Sequence, residues 1–230
     1  RAWIRLASGN LQGALDDTDT AVQLAQTADS PYDLYWALGV RGRILLAAGR
    51  TQEADAQASE LLAMLLERGA PLTAPDWSGD LAVVLQALGR ASDLQELTRV
   101  WTPTPWRQAA AAIAVGNFEY AADRYGQIGS LPDEAFARLG AARQLLAAGQ
   151  TPQANVQLQR ALGFYRQVKA SAYLREGEAL VAAERLVDNP QQVGRPADEL
   201  TSWLAHLTGW QAHRLLQVLA SVEQVVTLLD

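Results

Sequence analysis

Leu46-Ala47-Ala48-Gly49-Arg50, followed by Ala54, Ala58, Leu61, Leu62 and Leu65, is the stretch whose reading decides the fold. A small and apolar run ends in Gly, a polar residue follows, and apolar residues then recur at i, i+4, i+7, i+8 and i+11. The first part fits a helix stopped by a glycine in the left-handed conformation, where a Cβ would be penalised. The second fits a helix with one apolar stripe. Together they predict two helices joined by a tight turn at Gly49.

The turn recurs in Leu6-Ala7-Ser8-Gly9-Asn10, Ala87-Leu88-Gly89-Arg90, Ala114-Val115-Gly116-Asn117 and Leu146-Ala147-Ala148-Gly149-Gln150, with the five glycines 40, 40, 27 and 33 residues apart. Five residues past each Gly, the second helix places a small or apolar residue on its inner face. Ala154, Leu158, Ala161, Leu162 and Tyr165 repeat the whole stripe. Ala14, Ala21, Val22 and Ala25 fit it with Thr18 as a polar exception, and Ala121, Tyr125 and Ile128 fit its first half. A register shared by five glycines is what an internal repeat predicts and a bundle of unrelated helices does not.

Ser30-Pro31, the Pro71 to Asp76 stretch, Thr102-Pro103-Thr104-Pro105 and Ser130-Leu131-Pro132-Asp133-Glu134 separate successive hairpins, because proline starts helices and is excluded from their interiors. Ser130 with Asp133 and Glu134 has the form of a first-turn capping arrangement. The resulting map has helices near 1–8, 11–28, 32–48, 52–68, 76–88, 91–101, 105–115, 118–128, 133–148, 152–167 and 170–187.

Composition agrees with an all-α fold. Ala and Leu supply a third of the 230 residues, while Ile occurs four times, too few β-branched side chains for a large sheet. Absence of Cys removes disulfides, thiolate nucleophiles and Cys-based zinc sites. A net charge of −6 has the wrong sign for a phosphate backbone, so nucleic acid is not expected as a direct partner. No apolar run reaches the roughly 20 residues that span a bilayer. The opening Arg1-Ala2-Trp3 carries no basic leader or cleavage site, and the first hairpin keeps only the end of its opening helix. The expectation is a cytoplasmic piece of a longer array; eighteen Arg against one Lys, Lys169, suggest a GC-rich bacterial genome.

The Gly-plus-five-Ala spacing with Pro near the unit end resembles the tetratricopeptide repeat, most clearly in Gly116-Asn117-Phe118, Ala121, Tyr125 and Pro132. Gly129-Ser130-Leu131-Pro132-Asp133-Glu134-Ala135-Phe136-Ala137-Arg138-Leu139 and Ala161-Leu162-Gly163-Phe164-Tyr165-Arg166-Gln167-Val168, with Tyr173-Leu174-Arg175-Glu176-Gly177-Glu178-Ala179-Leu180, resemble the C-terminal repeat region of large bacterial signalling ATPases. Leu94 and Trp101 depart from the pattern where small residues are usual, and Lys169 stands where Gly is expected. The resemblance covers about residues 1–187. It implies a tetratricopeptide-like superhelix over 1–188 acting as a non-catalytic scaffold or regulatory region joined to modules elsewhere. A second likeness, to bacterial transcriptional activators of the maltose-regulator kind, implies a small-molecule inducer sensor instead.

Chemistry-bearing motifs point the same way. There is no Gly-x4-Gly-Lys-Ser/Thr phosphate loop, and the sole lysine follows Val168. His206 and His213 stand seven apart without metal-ligand spacing, and the carboxylate groups at Asp16, Asp17 and Asp19, at Asp133 and Glu134, and at Glu176 and Glu178 read as helix-surface charge. No catalytic, cofactor or metal residue is expected. After Asp188, two prolines and a glycine in 189–196 mark a loop. The remainder, 197–230, reads as a helical hairpin with Leu215, Leu219, Val222, Val226 and Leu229 along one seam, a cap for the array or a self-association element.

Counting back from the turn glycines gives the face that the first helix of each pair turns inward. Six residues before them lie Trp3, Arg43, Val83, Ala110 and Arg143; thirteen before Gly49, Gly89 and Gly149 lie Trp36, Asp76 and Phe136; ten before Gly116 lies Trp106. Tryptophan and arginine dominate binding hot spots. Trp36, Arg43, Asp76, Trp106, Phe136 and Arg143 are therefore the candidate groove residues, with an acidic peptide or small anion as the expected ligand.

Overall fold

The computed structural model describes residues 1–68, 77–99 and 102–188, and it forms eleven α-helices with no strand among them. In order they are α1 (Ala2–Ser8), α2 (Leu11–Thr27), α3 (Pro31–Ala47), α4 (Thr51–Arg68), α5 (Ser78–Ala87), α6 (Ala91–Thr98), α7 (Pro105–Ala114), α8 (Phe118–Ile128), α9 (Leu131–Ala147), α10 (Thr151–Val168) and α11 (Ser171–Asp188). The all-α expectation holds, and each expected helix is present with ends displaced by a few residues at most. The Pro71 to Asp76 break, Trp101, the 189–196 loop and the 197–230 hairpin lie outside the described residues.

The turns have the expected physical basis. Gly9, Gly49, Gly89, Gly116 and Gly149 all have positive φ, between 69° and 85°. In each turn the residue after Gly returns its N–H to a carbonyl five residues back, as in Arg50 to Leu45 at 2.9 Å and Gln150 to Leu145 at 2.8 Å. Those bonds satisfy carbonyls that the helix end would otherwise leave open. Asn10 and Asn117 cap the next helices, accepting from Gly13 N at 2.9 Å and Tyr120 N at 3.3 Å. Ser130 departs from the expected cap: its hydroxyl donates to Asp133 at 2.6 Å and accepts no backbone N–H.

The register measured from the glycines sets the packing. Ala14, Ala54, Leu94, Ala121 and Ala154, five past the five turns, are each fully buried. Without a bulky side chain at four of these positions, neighbouring helices come close and dispersion contacts accumulate. Thr18, the polar exception, is buried and donates to the Leu15 carbonyl at 2.9 Å. Ala21 is exposed, so the stripe on α2 is interrupted there, and it resumes with the half-buried Val22 and the buried Ala25. Close approach is equally tight at Gly140 and Gly177, where a Cβ would stand 2.5 Å from the Phe118 ring and from a Leu162 methyl respectively.

Each helix packs on its chain neighbour within the hairpins, and α3 on α5 and α5 on α7 carry the contact from one hairpin to the next. One apolar core runs from α1 to α9, and a second joins α9, α10 and α11. The odd-numbered helices also meet across the molecule: α11 touches α9, and α1 touches both α3 and α11.

Candidate functional site

The inner helices converge on Arg43. Its position, six residues before Gly49 on α3, aims the side chain toward the middle of the odd-numbered helices, where it is buried. Nη1 donates to Asp80 Oδ1 of α5 at 3.0 Å. The guanidinium carbon lies 4.2 Å from the ring centroid of Trp3 on α1 and 4.0 Å from that of Phe136 on α9. Nη2 reaches the Tyr173 hydroxyl of α11 at 3.5 Å. One side chain thus ties together α1, α3, α5, α9 and α11.

Burial of an ion pair is tolerated only when charges and hydrogen bonds are matched. Burial works against the Arg43 charge, but Tyr173, Asp80 and Asp133 outweigh it and hold the guanidinium protonated still more firmly than usual. Burial also pushes the Asp80 carboxyl up to about 6 against the pull of Arg43, with Asp133 adding to the rise. The two aromatic faces supply cation–π attraction in a desolvated setting, where it is strongest.

A second group adjoins the first. Tyr173 stacks on Tyr165 at 4.8 Å with 13° between the rings. The Tyr165 hydroxyl is buried without a hydrogen-bond partner, and burial, followed by Tyr173 and Glu176, raises it well above its ordinary value. Arg143 pairs with Glu176 of α11, three residues beyond Tyr173, and remains 23% exposed. This pair forms a more solvated margin to the buried centre.

Of the residues singled out from sequence, Arg43 and Phe136 meet here together with Trp3, and Arg143 joins them through α11. Trp36 is half-buried against the main core. Trp106 is also half-buried and packs edge-on to Tyr125 at 5.9 Å. Asp76 lies outside the described residues, as do His206 and His213. At Arg43 the space between inner helices is filled by the chain's own side chains, so this guanidinium is committed to Asp80 and two rings and does not stand free in a groove.

Asp80 and Tyr173 were not among the candidates. The signal for Asp80 is its solitude: Ser78-Gly79-Asp80-Leu81-Ala82-Val83-Val84-Leu85 carries one charge in an otherwise apolar buried helix, and such a charge requires a counter-charge. Among the described residues no group of three or more Asp, Glu or His side chains is gathered to hold a metal ion. No described helix is long and apolar enough to cross a membrane.

The chain matches no protein-family model, and no curated protein or solved structure shows significant similarity to it.

Proposed function

We propose that this chain is a tetratricopeptide-like helical repeat array working as a non-catalytic protein-interaction and regulatory region of a larger bacterial signal-transduction protein in the cytoplasm. The observation that carries the reading is the shared register: five glycines of positive φ, each followed five residues later by a fully buried small or apolar residue. Repeats of this kind spend their sequence on stacking and leave a long inner face for recognition. Binding falls to the margin where Arg143, Glu176 and the half-buried Phe136 lie, with an acidic peptide as the partner class.

The test is an array of acidic and neutral peptides probed with the purified chain. Saturable binding to acidic members, weakened about tenfold by Arg143→Ala with helicity unchanged, supports the reading. Binding indifferent to peptide charge and to Arg143 overturns it. Saturable micromolar binding of ATP with magnesium in calorimetry would also count against it, since a non-catalytic array has no use for a nucleotide.

A second reading, the inducer sensor, is favoured by the convergence of Arg43, Asp80, Tyr173 and Tyr165, charged and hydroxyl groups gathered where the inner helices meet, which an inducer would have to part to enter. A thermal-shift panel of sugar phosphates and small carboxylates separates the two. A saturable shift that Tyr165→Phe removes favours the sensor, and its absence favours the interaction region.

A further inference from the structure

Between Glu134 and Glu176 the sequence holds no carboxylate, although the whole chain has 25 acids against 19 bases. Six cations fall in that stretch. Arg138 pairs with Glu134, and Arg143 pairs with Glu176. The other four, Arg160, Arg166, Lys169 and Arg175, are exposed, and none of their side chains makes an ion pair or hydrogen bond among the described residues. Lys169 forms the turn from α10 to α11, with Arg160 and Arg166 before it and Arg175 after it, so all four lie within about 15 Å of that turn along the helix axes. Apolar side chains reach the surface at the same corner. Val168 is 51% exposed, and Phe164, Leu174 and Val181 are half-buried, the last two standing two turns apart on one side of α11. α11 meets α1, α9 and α10, which all precede it, and among the described residues no helix follows it.

We propose that this basic, partly apolar corner of α10 and α11 is the seat of the chain's own 197–230 segment, which closes the end of the array in place of a further hairpin. The segment has the complementary chemistry. It carries Asp198, Glu199, Glu223 and Asp230 against one cation, Arg214, and Leu215, Leu219, Val222, Val226 and Leu229 recur along one seam. Opposite charge draws the two together, and the seam covers Val168, Leu174 and Val181, which an array must shield at its end. Reach is sufficient: α11, with 18 residues, is about 27 Å long, and the eight residues of 189–196 extend to as much as about 26–29 Å, so residue 197 can begin beside the Lys169 turn. The same tether holds the segment near its seat at a local concentration of about millimolar, far above that of a second copy in dilute solution. The inference goes beyond the interaction reading, which concerns the inner face and Arg143.

Lys169 is the only lysine, so the test has a single side-chain amine to follow. A water-soluble carbodiimide joins an amine to a carboxylate already in contact with it, forming an amide with no spacer. An equal mixture of unlabelled and isotope-labelled chain is coupled, digested and read by mass spectrometry. Amides from Lys169 to Asp198, Glu199, Glu223 or Asp230, with both peptides of one isotope, are expected. Arg160→Glu/Arg166→Glu, its helicity checked by circular dichroism, should lower their yield about threefold or more, by a wider margin at low ionic strength than at high. Pairs of mixed isotope alone would make a second copy the occupant and overturn the proposal. So would the absence of any amide between Lys169 and the segment, or a yield indifferent to the charge reversal. Hydrogen exchange reads the apolar half of the contact. In Val168→Asp, a change at an exposed site, the amides of 215–229 should exchange about tenfold faster than in the native chain. Equal exchange in the two chains overturns the docking even where an amide forms. Neither readout involves an added peptide or Arg143, so this seat and the acidic-peptide reading can fail independently.

Discussion

Arg43 Nη1 stands 3.0 Å from Asp80 Oδ1, and both side chains are more than nine-tenths buried. Removing one partner strands the other, so Arg43→Ala and Asp80→Ala should each lower unfolding stability by about 3–5 kcal/mol. Replacing both with apolar side chains, as in Arg43→Met/Asp80→Leu, should lose far less than the sum. Urea unfolding of the native chain, Arg43→Met, Asp80→Leu and the double variant closes a cycle that measures the coupling. Additive losses would show that the pair acts through packing alone.

Arg143 occupies the equivalent register position, six before its turn glycine, yet its pair with Glu176 is partly solvated. Exposure screens the attraction and lets water replace it, so Arg143→Ala should change stability by at most about 1 kcal/mol. The contrast with Arg43→Ala in the same urea experiment tests whether burial, and not register, decides what an arginine does here.

The helices were legible because their determinants are local. Gly49 announces its own φ, and Ala54, Ala58 and Leu61 announce a stripe, since both depend only on neighbours within a few turns. What fills the inner face was not legible in the same way. Trp3, Arg43, Asp80, Phe136 and Tyr173 come from five helices, and no spacing rule relates residues so far apart. Register placed Trp3, Arg43 and Phe136 on the inner face but could not say whether that face meets solvent, a partner or itself. Asp80 is a lone charge in an apolar helix, and the counter-charge it needs lies 37 residues earlier on α3. Lys169 is the opposite case, a lysine at a position where the pattern expects glycine and the backbone φ is positive.

Lys169 ends α10 with φ of 58°, in the left-handed region that glycine fills at six other turns and Asp29, at 49°, fills between α2 and α3. A non-glycine residue there is strained by about 1–2 kcal/mol, partly offset by the freedom glycine adds to the unfolded chain. Lys169→Gly should therefore raise stability by about 1 kcal/mol, read as a higher urea midpoint. Gly89→Ala is the reverse experiment. Its φ is 71° and a Cβ there would meet nothing within 4 Å, so any loss reports backbone strain alone.

The buried small residues make a packing prediction. Ala54 and Ala154 are fully buried five residues past their turns, and Leu94 fills the same position after Gly89. Ala54→Leu and Ala154→Leu force extra volume between close helices, for a loss of about 1–3 kcal/mol. Leu94→Ala removes volume from a site shaped around it and should lose about 2–5 kcal/mol. Thermal unfolding of the three variants decides; tolerance of Leu at 54 and 154 would mean that the alanines are there for helix propensity and not for close approach.

The Asp80 carboxyl gives stability a pH dependence of unusual sign. Its folded value, pushed by burial up to about 6, exceeds the 3.8 of a free side chain. Between those limits the folded chain holds a proton that the unfolded chain has released, so the contribution is fully present below the unfolded value and is lost as pH rises through about 6. The slope reaches at most about 1.4 kcal/mol per pH unit. Asp17, held low by its hydrogen bond to Arg1, and Glu53, held low by Arg50, act in the opposite sense. Their contributions are lost only as pH falls through their lowered values, below the Asp80 window. Arg43 and Tyr173, whose own values are raised, face Asp80 and keep their charge states across that window. The measurement is urea stability of the native chain minus that of Asp80→Asn, from about pH 4 to about pH 7; His206 and His213 are common to both and cancel. The difference should fall as pH rises. A difference that stays flat, or grows, would mean that the Arg43 charge holds Asp80 ionised throughout and that the pair keeps its full charge at every pH in the range.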